Sequence, residues 1–206
     1  MTAITLFASP GACSQVTMIA LETARADYHI APVALSEGMH KQPAYLSINP
    51  KGKVPALRLN GQVITETPAI LTALNTQYPA ARLLPENLSQ AEIVADLCFV
   101  AAGVHPLVTR FCKPELIADQ TALETIKSKA GAELSRLFEL VNVRLESQRW
   151  WYGNEWSAID GYWFWVIGRL SRCEFDFTPF GAIQRHQQAS LTLPAVQQAL
   201  EREKNM

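Results

Sequence analysis

The run Val54-Pro-Ala-Leu-Arg-Leu-Asn-Gly-Gln-Val-Ile-Thr65 constrains the fold of this chain more tightly than any other stretch. Asn60-Gly61 separates two β-prone segments, and both residues tolerate the positive φ of a two-residue hairpin turn. A helix start follows at once. Thr67 is the expected N-cap, and Pro68 takes the first helical position, where its missing N–H would have no partner anyway. Ile70, Leu71, Leu74 and Tyr78 then recur on one helical face.

Upstream, residues 3–8 form a brief apolar run stopped by Pro10-Gly11. Val16, Ile19, Ala20 and Thr23 have helical spacing, with Ser14 available as N-cap, and residues 27–35 read as a second strand. The order β-α-β, a connection, then β-β-α implies a small α/β layer over residues 1–78. Residues 79–88 are rich in proline and polar side chains and are expected to form a linker.

Residues 89–206 read as helix throughout. The stretch 89–111 predicts a long helix kinked or broken near Pro106, and 119–147 has the apolar repeat of a long amphipathic helix. Residues 156–170 are apolar all round, which suits a buried central helix, and a last helix begins at Pro194. The fold class is therefore an α/β domain followed by an all-α domain.

The composition narrows the function classes. Of 206 residues 49% are hydrophobic, ample for a packed core. The formal net charge is −1, with no run of like charges, so no nucleic-acid partner and no acidic membrane surface is expected. Cys13, Cys98, Cys112 and Cys173 are widely spaced and lack the pairing with histidine that a zinc site needs, so no metal is expected. A disulfide framework is not expected either, because such scaffolds are smaller and denser in cysteine. The first residues lack a basic signal-peptide region, and the most apolar later stretches fall short of the ~20 residues of a membrane span. These features predict a soluble, cytoplasmic, reduced protein.

The chemistry concentrates behind the first strand. In Ser9-Pro-Gly-Ala-Cys-Ser-Gln15 a thiol and a hydroxyl stand at a helix start, where the helix dipole lowers a thiol pKa. The same residues would equally suit a strand-to-helix turn that buries a cysteine. Pro10 occupies the place where a Cys-x-x-Cys motif would need its first thiol, so Cys13 has no local disulfide partner.

Three motifs, Ser9–Ser14, Asn49-Pro-Lys-Gly-Lys-Val-Pro-Ala-Leu57 and Thr65-Glu-Thr-Pro-Ala-Ile70, occur in order, with Ser157-x-x-Asp160 late in the chain. Together they resemble the cytosolic glutathione transferases, most closely the bacterial beta class, over essentially the whole chain. The resemblance implies a thioredoxin-like glutathione-binding domain at 1–78 and a helical substrate-binding and dimerisation domain at 89–206. It implies a homodimer that uses glutathione as co-substrate and acts on small hydrophobic electrophiles in detoxification, by conjugation or thiol-disulfide exchange. The alternatives are a glutathione-dependent isomerase or dehalogenase, or a protein of this fold that binds without turnover.

Residue by residue, the resemblance implies catalytic roles for Cys13 and Ser14, either of which would meet the glutathione sulfur. Thr67 and the first N–H groups of its helix would take the γ-glutamyl carboxylate, and Glu66 the ammonium; the alternative is a plain helix cap. A cis Val54-Pro55 bond, with Pro55 structural, would turn the Val54 backbone toward the cysteinyl backbone of glutathione. His40, Lys41 and Lys53 are candidates for the glycine carboxylate, or merely solvated surface. His105 either lines the active cleft or is a satisfied buried histidine. Cys98 stands where beta-class relatives carry an asparagine that reaches the partner's ligand. Ser157 and Asp160 form a structural capping box.

Overall fold

A computed structural model describes residues 4–206 of the chain. It divides into two compact units, one running through Leu84 and including Thr192–Met206, the other spanning Pro85–Leu191.

The first unit is a four-stranded sheet with helices. Its strands are β1 (Ile4–Ala8), β2 (Tyr28–Pro32), β3 (Ala56–Leu59) and β4 (Gln62–Thr65), in the order β2-β1-β3-β4. β2 runs parallel to β1, while β3 is antiparallel to both β1 and β4. Ala3, included in the expected first strand, lies outside the described residues. The hairpin forms where Asn60-Gly61 requires it, with φ of 51° and 81° at the two turn residues and Leu59 opposite Gln62.

Helices α1 (Ser14–Thr23), α2 (Pro43–Leu46) and α3 (Thr67–Gln77) complete the α/β layer. Leu6 and Leu57 from the sheet, Met18 and Ile19 from α1, and Ile70, Leu71 and Leu74 from α3 are all fully buried. Burial of such side chains, about 1.5–3 kcal/mol each, is the main force assembling the layer. A second cluster, Phe7, Val33, Tyr45 and Ala56, packs the loop region around α2. α9 (Pro194–Lys204) belongs to this unit and lies along α1, with Val196 and Ala199 fully buried.

Both expected helix starts shift by one residue. Cys13 takes the N-cap position of α1 and Ser14 is its first helical residue; Glu66 takes the N-cap position of α3 and Thr67 begins it. In neither helix does a side chain cap the end. In α1 the Gln15 and Val16 N–H groups donate to the Ala12 and Cys13 carbonyls at 3.1 Å each. In α3 the Ile70 N–H donates to the Glu66 carbonyl at 3.0 Å, which leaves the N–H groups at the very start of α3 to other partners.

The second unit is helical: α4 (Gln90–Cys98), α5 (His105–Cys112), α6 (Leu123–Glu146), α7 (Ala158–Ser171) and α8 (Gly181–Leu191). α8 falls within the stretch expected to be helical but is not delimited there as a separate helix, because its weakly apolar residues give no clear stripe. Between α4 and α5, Phe99–Val104 forms a π-helical turn that ends at His105-Pro106, so the expected break is a local widening of the helix. Gln90–Cys112 is thus one 23-residue helical run that reaches membrane-span length and hydropathy, correcting the expectation that no stretch does. Its residues Leu97, Val100, Val104 and Val108 nevertheless form a fully buried seam at helical spacing.

α7 is buried along nearly its whole length, as its sequence predicts. At its start Asp160 Oδ2 accepts both the N–H and the O–H of Ser157, at 2.9 Å each. Asp160 Oδ1 accepts the Trp151 N–H at 2.7 Å and lies 3.0 Å from His186 Nε2. A carboxylate with no exposure is thereby paired on both oxygens, which is what burying it requires.

One expectation is overturned outright. Cys112, at the end of α5, and Cys173, after α7, are joined as a disulfide, with Cα atoms 5.5 Å apart. Sequence spacing of 61 residues gives no hint of the pairing; the packing of α5 against α7 creates it.

Candidate active site

The first unit brings Cys13, Lys53, Val54, Glu66 and Thr67 together. The Cys13 thiol points at the Val54 carbonyl, with Sγ 3.4 Å from the oxygen. Burial pushes the thiol up to about 12; the Thr67 side chain and the backbone at Cys13 pull it down, Glu66 raises it and Lys53 lowers it. The expected lowering by the helix start is therefore outweighed by desolvation, and at neutral pH Cys13 is a thiol that donates to the Val54 carbonyl.

Ser14 faces the other way. Its side chain is fully buried, and Oγ donates to the Ser9 carbonyl while accepting the Ser9 N–H, both at 3.2 Å. The hydroxyl closes the loop behind the first strand. The loop has a second fastening: Glu203 of α9 accepts the Gly11 N–H at 3.1 Å through Oε1 and the Gln15 amide at 2.7 Å through Oε2. Gly11 has φ 71°, a conformation that suits glycine.

The Val54-Pro55 peptide is cis, as the family resemblance implies. The loop before it is held by side chains on its backbone. The Lys53 carbonyl accepts the Tyr45 hydroxyl at 2.6 Å and the Asn49 amide at 2.7 Å, and the Gly52 N–H donates to the Asn49 carbonyl at 2.9 Å. Gly52 has φ 59°, and a Cβ there would stand 3.0 Å from the His40 carbonyl, so this close approach needs glycine.

Glu66 and Thr67 divide in character. Thr67 is buried, whereas Glu66 is exposed, with φ 71° and ψ 124°, a conformation sparsely populated by residues with a side chain. The turn from β4 into α3 thus swings the carboxylate outward beside the open N–H groups of the helix. Lys51, which sequence reasoning passed over, lies on this carboxylate: its Nζ is 2.7 Å from Glu66 Oε1 and 3.1 Å from Thr65 Oγ1. Only the fold brings residues 51 and 66 together, so local motif reading had no signal for it.

The basic candidates sit around the same loop. Lys41 and Lys53 are exposed, and His40 is half-buried with a lowered pKa, from desolvation first and then from Lys41 and Lys53. Lys41 and Lys53 form a positive edge suited to an anion, with His40 beside them as a neutral imidazole. His105 lies in the second unit, with Nδ1 2.9 Å from the Tyr162 hydroxyl and its ring edge-on to Trp165 at 4.5 Å. Among the described residues no group of three or more histidine, cysteine or acidic side chains could hold a metal ion.

Residues 11–77 match the family model for the glutathione S-transferase N-terminal domain. The chain is 30% identical to glutathione S-transferase GstA of Escherichia coli O157:H7, over 96% of this chain and 98% of that one. It is 29% identical to maleylacetoacetate isomerase of Pseudomonas aeruginosa, over 88% of this chain and 87% of that protein. Among solved structures, a sphingomonad glutathione S-transferase complexed with glutathione superposes with a TM-score of 0.85 at 30% identity, covering 97% and 98% of the two chains. With a thioredoxin-like sheet unit, a helical unit and near-full-length likeness at this level, the chain belongs to the glutathione S-transferase family.

Proposed function

We propose that this protein is a glutathione transferase whose first unit holds glutathione along the line Glu66–Thr67, Val54, Cys13, and that it acts as a homodimer. The observation that carries the reading is the Cys13 thiol at the start of α1, directed at the Val54 carbonyl beside the cis Val54-Pro55 bond. The γ-glutamyl carboxylate would meet Thr67 and the open N–H groups of α3, and the ammonium would meet Glu66. The cysteinyl backbone would pair with Val54 as an added strand does. Lys41 and Lys53 form the positive edge for the glycine carboxylate, with His40 beside them as a neutral hydrogen-bonding group.

That pose brings the glutathione sulfur beside Cys13. A half-buried thiol held protonated is a poor nucleophile but a good donor, so Cys13 stabilises the glutathione thiolate by a hydrogen bond. The start of α1 adds its partial positive charge. Lowering the glutathione thiol by two pKa units needs about 2.7 kcal/mol, within reach of one charge-assisted hydrogen bond and a helix dipole. The thiolate then attacks an electrophilic carbon of a hydrophobic substrate, forming the carbon–sulfur bond as a leaving group departs with its electron pair. At an activated double bond the π pair instead shifts away and takes a proton from solvent. Ser14 supports the loop without touching the ligand.

Millimolar glutathione is expected to raise the thermal unfolding midpoint, and Glu66→Ala to remove that effect. Cys13→Ala is expected to lower conjugation of a model electrophile at least tenfold while glutathione still binds. Conjugation unchanged in Cys13→Ala would refute the role of the thiol; no thermal protection by glutathione would refute the binding site. The isomerase relative supports a second reading, in which the same thiolate adds to and leaves a double bond; product analysis with a cis-dienoate substrate separates the two.

A further inference from the structure

We propose that Lys51 is a specificity residue of the ammonium subsite: it holds the Glu66 carboxylate as a stand-in cation, and a ligand enters that subsite by exchanging its own ammonium for Lys51. This rests on the reading of Glu66 as the partner of the γ-glutamyl ammonium.

The geometry is specific. Lys51 Nζ makes a 2.7 Å ion pair with Glu66 Oε1 and a 3.1 Å hydrogen bond to Thr65 Oγ1, so the ammonium lies across the turn that joins β4 to α3. Its backbone is held by local contacts. The Lys51 N–H donates to the side chain of Asn49 at 3.2 Å, Asn49 is buried, and the following Gly52 is locked against the His40 carbonyl. A short, fixed loop thus presents a flexible four-carbon arm whose charged tip rests where an ammonium ligand must bind.

An ammonium replacing an ammonium conserves the charge on Glu66. Both partners of the pair are more than half exposed, so the displaced Lys51 returns to water at little cost. A ligand lacking the amine cannot make this exchange. It must either leave Lys51 in place or strip Glu66 of its cation and offer nothing in return. Lys51 therefore taxes the binding of the right ligand by the strength of one surface ion pair, about two- to fivefold. A ligand without the amine can leave the pair intact and escapes that tax, so Lys51 narrows the preference between them. The atoms involved are solvated, so the effect fades with salt.

The test compares glutathione with its deamino analogue, glutaryl-cysteinyl-glycine, by isothermal titration against wild type, Lys51→Gln, Glu66→Gln and the double variant. The affinity ratio of glutathione to the analogue cancels the general loss of positive charge in Lys51→Gln. In Lys51→Gln this ratio is expected to rise about two- to fivefold at low salt, to fall back toward the wild-type value at 0.5 M salt, and to show no rise in the Glu66→Gln background. A ratio unchanged or lowered in Lys51→Gln overturns the proposal. If wild type itself does not prefer glutathione, or Glu66→Gln leaves the preference intact, the reading of Glu66 fails instead. Unfolding midpoints for each variant confirm that the fold is kept, as expected for an exposed side chain.

Discussion

Glu203 Oε1 accepts the backbone N–H of Gly11 at 3.1 Å, across 192 residues of sequence. The other oxygen of the same carboxylate takes the buried Gln15 amide, and the neighbouring Arg202 pairs with Glu22 at 2.6 Å and covers the Tyr28 ring. Burial, and then Glu22, raise the Tyr28 hydroxyl pKa, so that hydroxyl stays a donor to Glu22 at 2.7 Å. The last helix is therefore pinned to both ends of α1. Glu203→Ala is expected to cost about 1–3 kcal/mol in urea unfolding, because two charge-assisted bonds are lost and a buried amide is left unpaired. Glu203→Gln, whose amide oxygen still accepts from Gly11, is expected to recover part of that loss.

Cys13 sets a pH dependence. Its folded pKa, about 12, lies above the ordinary thiol value of 9.0, so the folded state holds this proton more tightly than the unfolded chain. The contribution is fully present below pH 9 and is lost as pH rises toward 12. Wild-type stability is expected to fall relative to Cys13→Ser over that window, and the two curves to run parallel below pH 8. Iodoacetamide at pH 7 is expected to label the exposed Cys98 well before Cys13, as peptide mapping would show.

Glu66 holds a backbone conformation that suits glycine better than glutamate. Glu66→Gly is expected to stabilise the fold by about 1 kcal/mol, since relief of the positive φ outweighs the added freedom of the unfolded chain. The same variant is expected to lose glutathione protection in a thermal shift. Stability and binding moving in opposite directions would mark the strain as maintained for the ligand.

The Cys112–Cys173 bridge predicts a thiol count. Under denaturing conditions a thiol reagent is expected to find two of the four cysteines, and all four after reduction. Reduction, or paired replacement by serine, is expected to destabilise the helical unit by about 2–4 kcal/mol, the usual effect of opening a loop of this length.

What could be read from the sequence was local. Asn60-Gly61 specified the hairpin because positive φ selects those residues, and Ser157-x-x-Asp160 specified a cap because its partners are three residues apart. The motif around Val54-Pro55 carried the family and with it the cis bond. What escaped was made by tertiary contact. Lys51 reaches Glu66 only once the hairpin closes, Glu203 meets Gly11 only once α9 folds onto α1, and the disulfide needs α5 beside α7. Cys13 and Ser14 looked interchangeable in sequence; burial and a one-residue shift of the helix start turned one thiol toward Val54 and one hydroxyl back on Ser9.

The return of α9 to the sheet unit also orders events during synthesis. Domains fold as units while the chain emerges from the ribosome. Here the helical unit, Pro85–Leu191, is contiguous and has all its residues in hand before α9 is made. The sheet unit starts first but must wait for Thr192–Met206. The loop carrying Cys13 therefore acquires this anchor only after the sheet and α1–α8 have been translated, so a chain stalled before α9 would carry a finished helical unit and an unbraced thiol loop.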